Sequence, residues 1–146
     1  MCLEISRVHH PDLEPLVAEE DIEVVKYLMK PSVAYYSVVY YTTSKQEERV
    51  LRTPFLNEPV KFDENDECVM TAPELKREQD YDKWIVEEGI HAYIGTNAFT
   101  FLQFVSDCAP FHAYIPKGTK YYLGNEGDIV AEKMVIKNET YEQKQQ

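Results

Sequence analysis

The run Ser-Val-Ala-Tyr-Tyr-Ser-Val-Val-Tyr-Tyr-Thr-Thr-Ser at 32–44 constrains the fold more than any other stretch. β-branched and aromatic residues dominate it, and no glycine or proline interrupts it. Side chains alternate across a strand, so this segment is apolar on both faces. Such a strand sits in the middle of a sheet or in an interface between copies of the chain. A homo-oligomer is therefore expected.

The tetrapeptide His-Ala-Tyr-Ile occurs twice, at 91–94 and at 112–115. Each copy reads as a strand, within 90–94 and 110–116. Strand periodicity places Ile90, Ala92 and Ile94 on one face and His91 and Tyr93 on the other. In the second copy Phe111, Ala113 and Ile115 lie opposite His112 and Tyr114. The flanking residues differ, so shared strand chemistry explains the repeat better than an internal duplication. The segment between the copies, 96–107, reads as a helix: Thr96 or Asn97 can cap it, and Phe101, Leu102 and Val105 share a face. If the two strands are neighbours, two imidazoles and two phenols line one patch. That patch admits three readings. The residues pack across the sheet with their polar atoms satisfied locally, they form the floor of a ligand site, or the histidines join a carboxylate at a metal.

The rest of the chain fits one domain over 1–137, followed by a polar tail at 138–146. Residues 2–8 and 22–29 read as strands, and 9–21 as a proline-bearing loop. The segment 50–62 is extended but broken by Pro54 and Pro59, which suits a sheet edge. The segment 71–88 opens like a helix, with Thr71 able to cap it, Pro73 in the first turn and Glu74 near the N-terminus. Lys76–Asp82 has no apolar stripe, so that helix is short and exposed. Residues 117–127 are built from turns, and 128–137 from a final strand. The expected fold class is α+β: a mainly antiparallel, curved sheet with one or two helices, ending in strand–helix–strand–hairpin–strand.

Charge and cysteine content exclude several functions. The 146 residues carry a net charge of −11, which repels nucleic-acid phosphates. No apolar run approaches the roughly 20 residues that span a bilayer, and no leader pattern is visible. A cytoplasmic protein without a membrane or nucleic-acid partner is expected. Three cysteines, without CxxC spacing, read as reduced thiols. No phosphate-loop, dinucleotide or nucleophile-elbow motif is present, and neither a cofactor nor a metal is expected.

One basic patch stands out in this acidic chain: Lys117, Lys120, Tyr121 and Tyr122 lie on a glycine-rich turn. Such a turn can offer cations and backbone N–H groups to a phosphate. The expected ligand-binding residues are thus His91, Tyr93, His112, Tyr114, Lys117, Lys120, Tyr121 and Tyr122, with no catalytic set. His9 and His10, near Asp12 and Glu14, form a weaker metal-ligand group.

Gly89, His91, Ala92 and Tyr93, then Ile115, Pro116, Lys117, Gly118, Tyr121, Tyr122, Gly124, Gly127, Asp128 and Ile129 resemble the pattern of a family of small proteins in Bacteroidetes genomes and phages. That family has no assigned activity. The resemblance implies a phage- or mobile-element-encoded protein acting in a host cytoplasm. The strand–helix–strand order is more distantly similar to ADP-ribosyltransferase-like folds, where Glu132 would be the late acidic residue. The expectation is a non-enzymatic binding protein that sequesters a small nucleotide-type ligand or inhibits a host defence factor. The alternatives are an NAD-using enzyme of that fold type and an acidic inhibitor of a basic protein partner.

Overall fold

A computed structural model describes residues 3–29, 51–53, 58–95 and 108–141. The strand expected at 32–44 and the helix expected at 96–107 lie outside the described residues. Within them there are thirteen strands and no helix: β1 (Leu3–Glu4), β2 (Leu16–Val17), β3 (Ile22–Met29), β4 (Leu51–Arg52), β5 (Pro59–Val60), β6 (Glu67–Thr71), β7 (Arg77–Asp80), β8 (Lys83–Val86), β9 (Ile90–Tyr93), β10 (Cys108–Ile115), β11 (Lys120–Leu123), β12 (Asp128–Ala131) and β13 (Lys133–Thr140). The α+β expectation is therefore corrected to a fold built on antiparallel sheets.

The segment 71–88 shows why. Its helix-like opening is overridden by the pairing of β7 with β8, joined at Tyr81, whose φ is 60°. Trp84 and Val86 are two residues apart, so a strand puts both on one face. There they pack with Leu3, Ile5, Leu75, Tyr122 and Val130. A helix would turn the two side chains away from each other. The charged strand β7 needs no apolar stripe, because all of its residues are exposed.

The large sheet runs β2-β11-β12-β9-β3-β10-β13-β6, with β4 and β5 branching from β3. Every pairing is antiparallel. A three-stranded sheet, β1-β8-β7, lies beside it. Register decides the faces. Val24, Leu28, Ala92, Ala113, Ile115, Ile129, Met134 and Ile136 all fall on one side and form a single core cluster. Full burial of each large aliphatic side chain here stabilises by about 1.5–3 kcal/mol. Phe111 joins them, with its ring stacked on Phe62 at 6.2 Å.

The cluster draws on both ends of the sheet, from Leu123 of β11 to Met70 of β6. The sheet therefore curls around its own core. Glu132 marks where the ends meet. It is the single residue between β12 and β13, which are separated in the sheet by β9, β3 and β10. Its N–H donates to the Lys120 carbonyl at 3.2 Å, and its carbonyl accepts from the Ala72 N–H at 2.9 Å. What reads in sequence as one strand over 128–137 is two, bent at this seam.

Candidate functional site

β9 and β10 are not neighbours, because β3 lies between them. Register nevertheless puts both His–Tyr pairs on the same outer face. Tyr93 lies opposite Val25, and Val25 lies opposite His112, so the three form a row across three strands. Apolar alternation explains the arrangement. Ala92, Val24 and Ala113 go to the core, which leaves Tyr93, Val25 and His112 outward.

The row is extended by two further rings. Tyr27 meets Tyr93 edge-on at 5.8 Å. Tyr141 stacks on His112 with centroids 3.7 Å apart. A bulge makes that second contact: Phe111 faces Thr140 and Ala113 faces Ile136, so residues 137–139 of β13 stand opposite His112 alone. Bulges of this kind re-aim side chains. The Tyr141 N–H then donates to the Pro110 carbonyl at 2.9 Å and holds the ring in place. Tyr114 takes the Lys137 ammonium over its ring at 5.5 Å. Val25 and Tyr27 are buried, whereas Tyr93, His112, Tyr114 and Tyr141 are half-buried and keep ring surface open to solvent.

His91 sits on the same face. Its Nε2 lies 3.0 Å from the Glu87 carbonyl. A carbonyl only accepts, so Nε2 carries the hydrogen and Nδ1 is a bare acceptor. That Nδ1 is buried and has no hydrogen-bond partner among the described residues. Burial, with the Lys26 charge also contributing, holds the imidazole below its usual range and therefore neutral. Burial likewise raises the Tyr93 phenol, reinforced by the Asp128 carboxylate, and pushes Tyr27 up to about 12.

The Lys117–Tyr122 group is not brought to this face. The N–H groups of its turn already have acceptors: Lys117 N–H reaches Asp21 Oδ1 at 2.9 Å, Gly118 reaches the Ala18 carbonyl at 2.8 Å, and Thr119 reaches the Pro116 carbonyl at 3.1 Å. No cradle for a phosphate is left there. Tyr122 is buried and donates its hydroxyl to the Leu13 carbonyl at 2.9 Å, and Tyr121 packs against the main core. Lys117 and Lys120 remain exposed at the end of the sheet.

Two residues without a place in the expected site prove central. His10 is 1% exposed. Its Nδ1 donates to the Glu14 carbonyl at 2.9 Å and its Nε2 accepts the Leu123 N–H at 2.8 Å. Both nitrogens are occupied, so it pins the 9–15 loop rather than ligating a metal. The second is Lys26, which is 8% exposed within β3. Its Nζ donates to the His91 carbonyl at 2.6 Å. The signal in sequence is a lysine inside Ile-Glu-Val-Val-Lys-Tyr-Leu-Met, a run whose two faces are both apolar around it.

Glu132, the late acidic residue of the transferase-like alternative, accepts the Leu75 N–H on Oε2 at 3.2 Å. Its carboxylate is held at the seam. Among the described residues no group of three or more His, Cys, Asp or Glu could hold a metal ion, and no helix is long and apolar enough to cross a membrane. No protein-family model, curated protein or solved structure matches the chain.

Proposed function

We propose that this is a non-enzymatic binding protein that sequesters a small nucleotide-type ligand, held by its ring on the outer face of β9, β3 and β10. One observation carries the reading: the cross-strand row Tyr93–Val25–His112, capped by Tyr141 over the bulge. Half-buried aromatic faces on a rigid sheet suit a flat heterocycle, because stacking on them contributes about 1–3 kcal/mol per base. The turn N–H groups at 117–119 have internal acceptors, so recognition rests on the ring rather than on phosphate.

Calorimetry against a panel of nucleobases, nucleosides, and linear and cyclic nucleotides tests this. Binding of one class is expected, weakened about tenfold or more in Tyr141→Ala. Absence of heat with every member would overturn the reading.

A further inference from the structure

The ring-binding face is edged by carboxylates, and strand register puts them there. Residues that pair across strands point to the same side of a sheet, with Cβ atoms about 4.5–5.5 Å apart. Glu23 is the cross-strand partner of Tyr114, and Asp128 is the partner of Tyr93. Glu67 is the partner of Lys137 on β13. Each therefore stands on the outer face, beside a ring or beside the residue that covers one. Asp21 comes to the same end of β3, where its Oδ1 accepts the Lys117 N–H at 2.9 Å just past β10. The phenols register this setting. Burial raises Tyr114 and Tyr141, and carboxylates add to it: Glu67 and Asp21 at Tyr114, Glu23 and Glu139 at Tyr141.

The same face already receives a cation. The Lys137 ammonium lies 5.5 Å from the centre of the Tyr114 ring. The face of a phenol is electron-rich and attracts positive charge. A carboxylate beside the ring strengthens that attraction and repels an anion. Lys137 is exposed and its ammonium hangs on a flexible four-carbon stem, so a ligand can displace it. Glu23 is also exposed, and Tyr114, His112 and Tyr141 are half-buried, so this end of the row is open to solvent.

We propose that the ligand of this face is a heterocycle with a fixed positive charge, an N-alkylated purine or pyridinium, which takes the place of the Lys137 ammonium at Tyr114. The proposal rests on the ring-binding reading and narrows it. A neutral base gains stacking alone. A cationic ring gains stacking, attraction to the faces of Tyr114 and Tyr141, and the field of Glu23. An anionic nucleotide meets those carboxylates and the net charge of −11.

Matched pairs that differ in charge test it, by calorimetry on the full chain at pH 6.5: 1-methylnicotinamide against nicotinamide, and 7-methylguanosine against guanosine. The charged member of at least one pair is expected to bind about tenfold more tightly. Glu23→Gln keeps the shape and removes the charge. It should cut that preference to about threefold or less and leave the neutral member's affinity unchanged. Lys137→Ala uncovers the Tyr114 ring and removes a competing cation, so it should tighten the charged member severalfold. Weaker binding of the charged member in that variant would overturn the proposal, because a lysine that aids binding marks an anionic ligand. Equal affinity within both pairs, or tighter binding of the neutral members, would overturn it and leave the ring-binding reading standing. No heat with any of the four compounds also overturns it, and heat with another base or nucleotide then supports ring binding without the charge.

Discussion

His10 and Leu123 are 113 residues apart in sequence, yet the imidazole Nε2 accepts the Leu123 amide hydrogen at 2.8 Å. The ring also lies 5.0 Å from that of Tyr122, whose hydroxyl donates to Leu13 in the same loop. One side chain thereby fastens a loop without regular structure to the β11 edge. His10→Ala removes both ring hydrogen bonds and leaves the Leu123 N–H without its acceptor. A loss of about 3 kcal/mol is expected, read as a lower urea midpoint at unchanged slope.

The same histidine makes the fold acid-sensitive. Burial, its largest influence, lowers its proton affinity in the folded chain, so the unfolded chain binds the proton more readily. Its contribution is complete above pH 6.5 and is lost as pH falls from 6.5 toward the lower folded value. His91 is shifted in the same direction and adds to the effect. Urea midpoints at pH 7.5 and 5.5 should differ in the wild type. The difference should be smaller in His10→Ala and smallest in the double variant with His91→Ala.

Lys26 acts in the alkaline range with its own sign. Its folded value of about 8 lies below the ordinary 10.5. Between those limits the unfolded chain binds more protons, so stability rises with pH through this window, by up to about 3 kcal/mol from this group. Tyr27, pushed up to about 12, opposes the rise above pH 10. Lys26→Met keeps the packing volume and removes the buried charge. It is expected to be more stable than the wild type at pH 7 by about 1–2 kcal/mol, because the loss of the bond to the His91 carbonyl offsets part of the gain. Thermal melts at pH 7, 8, 9 and 10 check both the gain and the flattened profile.

Gly89 joins β8 to β9 at φ 139°, a conformation that side chains rarely adopt. A Cβ there would lie 2.5 Å from Val130 Cγ2 and 2.7 Å from Leu75 Cδ2. Both neighbours are buried in the cluster beneath the small sheet. Gly89→Ala is expected to cost about 2–4 kcal/mol through strain and overpacking together. Chemical denaturation of the variant reads this directly.

Much of the sheet was legible in the sequence where alternation is clean. Ile90–Tyr93 and Cys108–Ile115 are strands, and Ile90, Ala92, Ala113 and Ile115 face the core, whereas Ile94, expected on the same face, lies past the strand end and is exposed. The segment 71–88 misled because Thr71, Pro73 and Glu74 resemble a helix start, whereas Trp84 and Val86 set the outcome through contacts with Leu3 and Ile5 some 80 residues earlier. Strand order was not legible either. Nothing local tells that β3 separates the two His-Ala-Tyr-Ile strands, or that Glu132 turns a corner. The bulge that places Tyr141 over His112 depends on how β13 meets β10, which no single-strand pattern encodes. Lys26 and His10 take their meaning from carbonyls and amides far along the chain.

The corner at Glu132 sets the order in which a growing chain can complete itself. β12 and β13 follow one another in sequence but pair with strands on opposite sides of β3. The central strand β3 pairs early only with β4, at Met29, and its partners β9 and β10 lie more than 60 residues downstream. Among the described strands the β4–β5, β7–β8 and β11–β12 pairings are local enough to form early. Pairings of such long sequence separation slow folding toward milliseconds to seconds. During synthesis the apolar inner face stays open until the residues around 132–140 leave the ribosome. The last turn of the sheet is thus also the step that withdraws the core from competing chains, and the nascent protein is most open to aggregation just before it.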